Sequence, residues 1–224
     1  MLIDADILYE DNHLIAVNKK VRQIVQGDKT GDLPLSALVK EYIKKKYHKP
    51  GEVYIGVPHR LDRPVSGVII FAKTSKALIR LNELFKNKTV TKKYYAIVDK
   101  HPPKKEDKLE GYIYRDTKKN KSFVRQKNEP DTKFASLSYK LINSSEKFFL
   151  LEIDLHTGRH HQIRCQLADI GCPIRGDLKY GYQRANKNMG INLHAIELSF
   201  IHPVKKELIT INAPLPEENI WKVF

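Results

Sequence analysis

Cysteine is almost missing: Cys165 and Cys172 are the only two in 224 residues. Two thiols cannot build a disulfide framework, so a small cross-linked secreted scaffold is excluded. No run of about 18 apolar residues occurs, so no transmembrane helix is expected. Nor does any amphipathic basic helix with aromatic anchors mark a membrane-surface protein. The opening MLIDADILYEDNH lacks the positive start and apolar segment of a secretory leader. These absences together predict a cytoplasmic protein. Nine histidines could suggest a metal, but there is no pair of Cys-x-x-Cys motifs and no His-Glu-x-x-His helix, so none is expected. No heptad pattern or cysteine network marks an obligate dimer, which favours a monomer.

Acidic residues are also in short supply, 26 against 40 lysines and arginines, leaving a net charge of +14. Such an excess helps no hydrophobic core and adds self-repulsion, so a polyanionic partner is expected, nucleic acid first. With 41% hydrophobic residues the chain can bury a sizeable core. The length, with no long linker, favours one elongated domain over 1–224 with two lobes.

Hydrophobic periodicity outlines the elements. Ile7 to Tyr9 and Leu14 to Val17, around Asp11, Asn12 and His13, read as a hairpin. Leu35, Leu38, Val39, Tyr42, Ile43 and Tyr47 recur at helical spacing and stop before Pro50 and Gly51. Val53 to Val57 reads as a strand. Val68 to Ala72 is a continuous apolar run, a strand buried on both faces. Thr74 and Ser75 are caps for a helix with Leu78, Leu81, Leu84 and Phe85 on one face. Thr89 to Val98 is strand-like, and KHPPKKEDK reads as a charged loop joining the two lobes. Ala135 to Leu141 and Phe149 to Leu155 alternate as antiparallel neighbours. A helix from about His160 buries Ile163, Leu167 and Ile170 and stops at Gly171. Strands at Leu193 to Phe200 and Leu208 to Ile211 meet through His202 and Pro203. Consecutive hairpins outnumber helices, so the class is α+β around a largely antiparallel sheet.

Charge is clustered as well as abundant. Lys86, Lys88, Lys92 and Lys93 form a block without acids, and Arg115 to Lys133 holds seven basic residues against three acids. Phe123 sits between Lys121 and Arg125, a pattern that tracks phosphates and offers a base a ring to stack on. A solvated hairpin with a buried phenylalanine would look the same.

Chemistry concentrates in His59-Arg60-Leu61-Asp62-Arg63-Pro64-Val65-Ser66-Gly67. Here an acid stands among three bases, ahead of an apolar strand. Neighbouring cations favour the ionised carboxylate, available as base or nucleophile. Structural ion pairs do the same, so the residues alone leave a catalytic acid and a loop salt bridge both open.

HRLDRPVSGVIIFAK resembles the catalytic motif of the RluA-type RNA pseudouridine synthases, usually HRLD, two variable residues, then TSG. KKYYAIV, LHTGRHHQIRCQLADIGCPIRGDLKYG, LHAIELSFIHP and the N-terminal ILYEDNHLIAVNK resemble further segments of that family in the same order. The resemblance implies a single catalytic domain with two lobes around a central basic cleft. It also implies isomerisation of uridine to pseudouridine in ribosomal or transfer RNA, without a cofactor and after the base has left its stack. Asp62 is the implied catalytic carboxylate, Tyr94 the tyrosine that packs on the target base, and Arg164 the arginine that pairs with the acid. Arg60 is the implied side chain that fills the gap left by the flipped uridine, and Arg159 a phosphate contact. His59, Arg63, Lys92, Lys93, Phe123 and Arg125 complete the expected RNA contacts.

Three departures stand out. Val65 replaces a threonine, and His160 replaces another before HQIR. Lys19-Lys20-Val21-Arg22 stands where the family has lysine, proline, a small residue and glycine, which leaves the shape of that first loop open. The chain also begins at the catalytic domain, so no separate N-terminal RNA-binding domain is expected. Two other classes remain in view: a non-catalytic RNA-binding module of ribosome assembly, blind to Asp62, and a nucleoside hydrolase, which lacks a second placed carboxylate.

Overall fold

A computed structural model describes residues 2, 4–28 and 30–224. In chain order the strands and helices are β1 (Ile7–Glu10), β2 (Leu14–Lys19), α1 (Leu35–Lys46), β3 (Ser66–Ala72), α2 (Ser75–Lys86), β4 (Thr91–Val98), β5 (Glu106–Asp116), β6 (Lys121–Arg125), β7 (Thr132–Ser144), β8 (Phe149–Leu155), α3 (Gln162–Asp169), β9 (Leu193–Ile201) and β10 (Leu208–Asn212). The class is α+β with largely antiparallel strands, as expected. The chain divides into two compact units, Met1–Thr91 with Ala195–Pro214, and Lys92–His194 with Leu215–Phe224. No described helix is long and apolar enough to cross a membrane.

In the first unit the strands run β1-β2-β3-β9, with β10 antiparallel to β9. The β1–β2 turn closes because Asp11 accepts backbone N–H bonds from His13 and Leu14, both 2.8 Å. Burial pushes the Asp11 carboxyl up, but those two amides outweigh it and hold it down at about 2. All seven residues of β3 are buried, which is why the run is apolar at every position. Thr74 Oγ1 accepts from Ala77 N at 3.1 Å and starts α2, which buries Ala77 and Leu81. The expected strand at Val53 to Val57 is not a strand. Only Gly56 pairs, as a single bridge to Ala72, because β3 is otherwise flanked by β2 and β9.

In the second unit β4-β8-β7-β5-β6 is antiparallel throughout. One face buries Ile113 and Ala135 against Cys165 of α3 and against Tyr180; the other packs Ile97 and Leu150 on Trp221. The 100–108 segment lies inside this unit and does not join the units: β5 already starts at Glu106 and pairs with Lys140 of β7. The helix expected from His160 starts at Gln162, because His161 adopts a left-handed backbone (φ 53°) just before it.

Candidate active site

Asp62 sits half-buried on a tight turn between two buried anchors, Leu61 and Val65. Val65 N donates to the Asp62 carbonyl at 3.0 Å, closing the turn. The grip comes from below. Lys19, at 0% exposure, points its Nζ at the carbonyls of Val65 (2.5 Å), Lys20 (3.2 Å) and Arg63 (3.3 Å). Burial pushes this ammonium down to about 7, with the Asp62 charge pulling it back up and Arg63 pushing it further down. Arg22 N adds a bond to the Arg63 carbonyl at 2.8 Å.

Arg22 also accounts for the unusual first loop. It has φ 70°, the left-handed conformation that the family's glycine adopts freely. A side chain there costs about 1–2 kcal/mol, and the loop still closes onto Arg63. Val65 is buried, so the missing threonine hydroxyl leaves no polar group to satisfy. Gly67 is required outright: at φ 115° a Cβ would lie 2.2 Å from the Ala195 carbonyl oxygen on β9. That contact sets where β3 begins and hence where the Asp62 turn ends.

Of the basic residues around Asp62, Arg60 is exposed. Arg63 is ion-paired with Asp32. His59 has structural work: its Nε2 accepts from Ile70 N at 3.1 Å, and its ring stacks on Phe85 at 4.7 Å.

The second unit carries Tyr94 and Arg164. Tyr94 is buried on β4 opposite Ile153. Strand alternation puts Lys92 on the same face, its Nζ beside Gly158, and Lys93 on the other, paired with Glu152 at 3.4 Å. Arg164 is 5% exposed. It forks onto Asp177, 1% exposed, with Nε to Oδ2 at 2.7 Å and Nη2 to Oδ1 at 2.8 Å. A bidentate pair of this kind fixes the guanidinium plane. One edge is committed to Asp177, so any second anion meets Arg164 on its other edge.

Around this pair runs a chain of side chains. The Arg164 guanidinium lies 5.0 Å from the Tyr180 ring centre. The Tyr180 hydroxyl accepts from Ser122 N at 2.8 Å and shares a hydrogen bond with His161 Nδ1 at 2.9 Å. Burial, then the Arg164 and His160 charges, push His161 down to about 2, so it is neutral at working pH. The turn before α3 is pinned to β7: Ser136 N donates to Thr157 Oγ1 at 3.0 Å, and Gln162 Nε2 donates to the Ser136 carbonyl at 3.1 Å. Arg159 Nε reaches the Phe134 carbonyl at 2.8 Å. Phe123 lies under Lys121 and Arg125, 5.5 and 5.8 Å away.

Asp177 and Tyr180 were not singled out from sequence, and Lys19 was named only as the first residue of the Lys19 to Arg22 segment, with no site role. Asp177 and Tyr180 had a faint signal, a Gly-Asp pair three residues before a Tyr-Gly pair. Gly176 in that pair has φ 88° and leaves no room for a Cβ beside Asn186. Among the described residues no group of three or more His, Cys, Asp or Glu could hold a metal ion.

Comparison with known proteins places the chain in a family. The RNA pseudouridylate synthase family matches residues 13–169. The chain is 34% identical over 219 residues to an uncharacterised RNA pseudouridine synthase, YlyB, of Bacillus subtilis (strain 168), covering 96% of this chain and 71% of that protein. It is 32% identical over 212 residues to ribosomal large subunit pseudouridine synthase C of Rickettsia prowazekii (94% and 68%). Synthase D of Zymomonas mobilis is 31% identical over 231 residues (96% and 71%). The solved structure of human RNA pseudouridylate synthase domain containing 4 shares the fold, with TM-score 0.79 and 24% identity, over 94% of this chain and 88% of that one. The chain therefore belongs to the RNA pseudouridylate synthase family, isomerases of uridine in RNA. Within it the chain is of the RluA type.

Proposed function

We propose that this protein converts particular uridines of ribosomal RNA to pseudouridine, with Asp62 as the catalytic carboxylate. The observation that carries the reading is the Asp62 turn, whose backbone is held by the buried Lys19 and closed by Gly67. The relatives named as large-subunit ribosomal synthases favour ribosomal over transfer RNA.

In this reading the target nucleotide leaves its stack, at a few kcal/mol, and Arg60 occupies the gap. Asp62 then attacks C1′ of the ribose, or removes a ribose proton to give a glycal-like intermediate. Either way the C1′–N1 bond breaks, the uracil turns, and a C1′–C5 bond forms as the bond from Asp62 to C1′ breaks or as the proton Asp62 took returns to the ribose. The C5 proton is released and N1 gains one, so the product is an isomer and nothing is oxidised or reduced. Tyr94 holds the freed uracil against its ring, and Arg164 steadies the carboxylate charge. Arg159, Lys92 and Lys93 contact phosphates, and no cofactor is needed.

The test is chemical mapping of pseudouridine in ribosomal and transfer RNA, with and without the protein, beside turnover of Asp62→Asn. A mark should vanish from ribosomal RNA in cells lacking the protein. Turnover of the variant should fall more than a thousandfold while RNA binding persists. Wild-type turnover in Asp62→Asn would overturn the assignment, and a mark lost only from transfer RNA would move the substrate.

A further inference from the structure

The β5–β6–β7 end of the second unit's sheet carries four aromatic rings on one face. Register places them together: Tyr114 is opposite Phe123, and Tyr112 is opposite both Arg125 and Phe134. Residues directly opposite in an antiparallel pair share a face. The reverse face of the same strands carries Ile113 and Ala135, packed on Cys165 of α3. So these rings do not serve that core. At the β4–β8 end the ringed face is capped by Trp221, which packs on Ile97 and Leu150. At the β5–β6 end Tyr112, Tyr114 and Phe123 are part-exposed and Phe134 is 42% exposed.

Cations are layered on these rings. The Arg125 guanidinium lies 5.7 Å from the Tyr114 ring centre and 5.8 Å from that of Phe123, and Lys121 Nζ lies 5.5 Å from the latter. Tyr112 and Phe134 meet edge to face at 5.9 Å. The segment 115–133 that forms this end has seven basic residues against three acids. Exposed rings interleaved with cations match two needs of a single-stranded nucleic acid at once: a flat apolar surface for each base and a positive charge for each phosphate. A duplex keeps its bases stacked internally and cannot use the rings.

We infer that this face is a stacking platform for a single-stranded stretch of the substrate RNA, flanking the modified nucleotide. The inference deepens the proposed function and rests on RNA being the substrate. It adds Tyr112, Tyr114 and Phe134 to the two residues that sequence had pointed to, and assigns them to bases rather than phosphates.

The probe is a mixed-sequence single-stranded RNA carrying 2-aminopurine, whose fluorescence is quenched when the base stacks. The full chain should quench it. Phe123→Thr, which keeps a good strand former, should weaken binding about tenfold or more and abolish the quench, leaving the salt dependence of binding unchanged. Arg125→Gln should instead lower the slope of log affinity against log salt by about 0.7. Phe123→Tyr should restore both affinity and quench. If Phe123→Thr melts early, Phe134→Thr at the most exposed ring takes its place. Wild-type affinity and quench in a folded ring variant would overturn the platform, even if Asp62 proves catalytic. Conversely, quenching by a wild-type chain that makes no pseudouridine would overturn the proposed function and leave the platform standing.

Discussion

The two units hold their chemistry in different ways. In the first, Asp62 is fixed through backbone: a turn closed by Val65 N, three carbonyls gathered by Lys19, and a strand start set by Gly67 against Ala195. In the second, Arg164 is fixed through side chains, those of Asp177, Tyr180 and His161. Backbone fixation tolerates changes of side chain nearby, which is how Val65 and the Lys20 to Arg22 loop depart from the family pattern without opening the turn. A side-chain network has no such slack, because each group's partner is another group of fixed chemistry.

The sharpest way to break the first arrangement is Gly67→Ala. The new Cβ would meet backbone on β9 at 2.2 Å, and neither strand can yield without breaking its ladder. A loss of about 4 kcal/mol or more is expected, read as a lower urea midpoint. The counterpart in the second unit is Asp177→Asn, which keeps shape but replaces the carboxylate in the buried bidentate pair with a neutral amide. That should cost about 3 kcal/mol and lower kcat more than it raises KM. A variant as stable and active as wild type would show that Arg164 does not depend on Asp177.

The same contrast explains what was legible. The Asp62 turn is contiguous, and each of its demands leaves a local mark: Gly67 for a forbidden Cβ, an apolar run for β3, Thr74 for a helix start. The periodic strands of the second unit were equally plain, since Ala135 to Leu141 alternate in and out. What sequence could not convey was pairing at a distance. Lys19 lies more than forty residues from the Arg63 and Val65 carbonyls it joins, and one lysine among so many gives no hint that it, alone among the described lysines, is buried. Asp177 and Arg164 lie on different elements, and only the fold makes them a pair. Val53 to Val57 failed for a related reason, since strand-like composition cannot show that both edges of β3 are already taken.

Lys19→Met tests whether the backbone clamp matters for rate. The methionine fills the same space but offers no donor to three carbonyls. Bonds from a charged donor are worth about 1.5–3 kcal/mol. A looser turn should therefore lower kcat about tenfold to a hundredfold, with little change in RNA affinity. An unchanged kcat would mean that Val65 N and Arg22 N hold the turn unaided.

The smallest effect concerns the side-chain network and is seen only in acid. His161 stays neutral in the folded protein down to about pH 2, because it is buried beside Arg164. In the unfolded chain it titrates near pH 6.5. Between those values the unfolded chain binds a proton that the folded one refuses, so this stability is complete above about pH 6.5 and is lost as pH falls towards 2. The slope approaches about 1.4 kcal/mol per pH unit for one such group. His161→Gln retains a partner for the Tyr180 hydroxyl but removes the proton. Its urea midpoint should fall less between pH 7 and pH 5 than that of wild type. His202 in the first unit, also shifted down by burial, contributes equally to both proteins and cancels in the difference. Identical pH dependence of the two would mean that the folded protein accommodates a proton on His161, and the second unit would then be softer than its buried ion pair suggests.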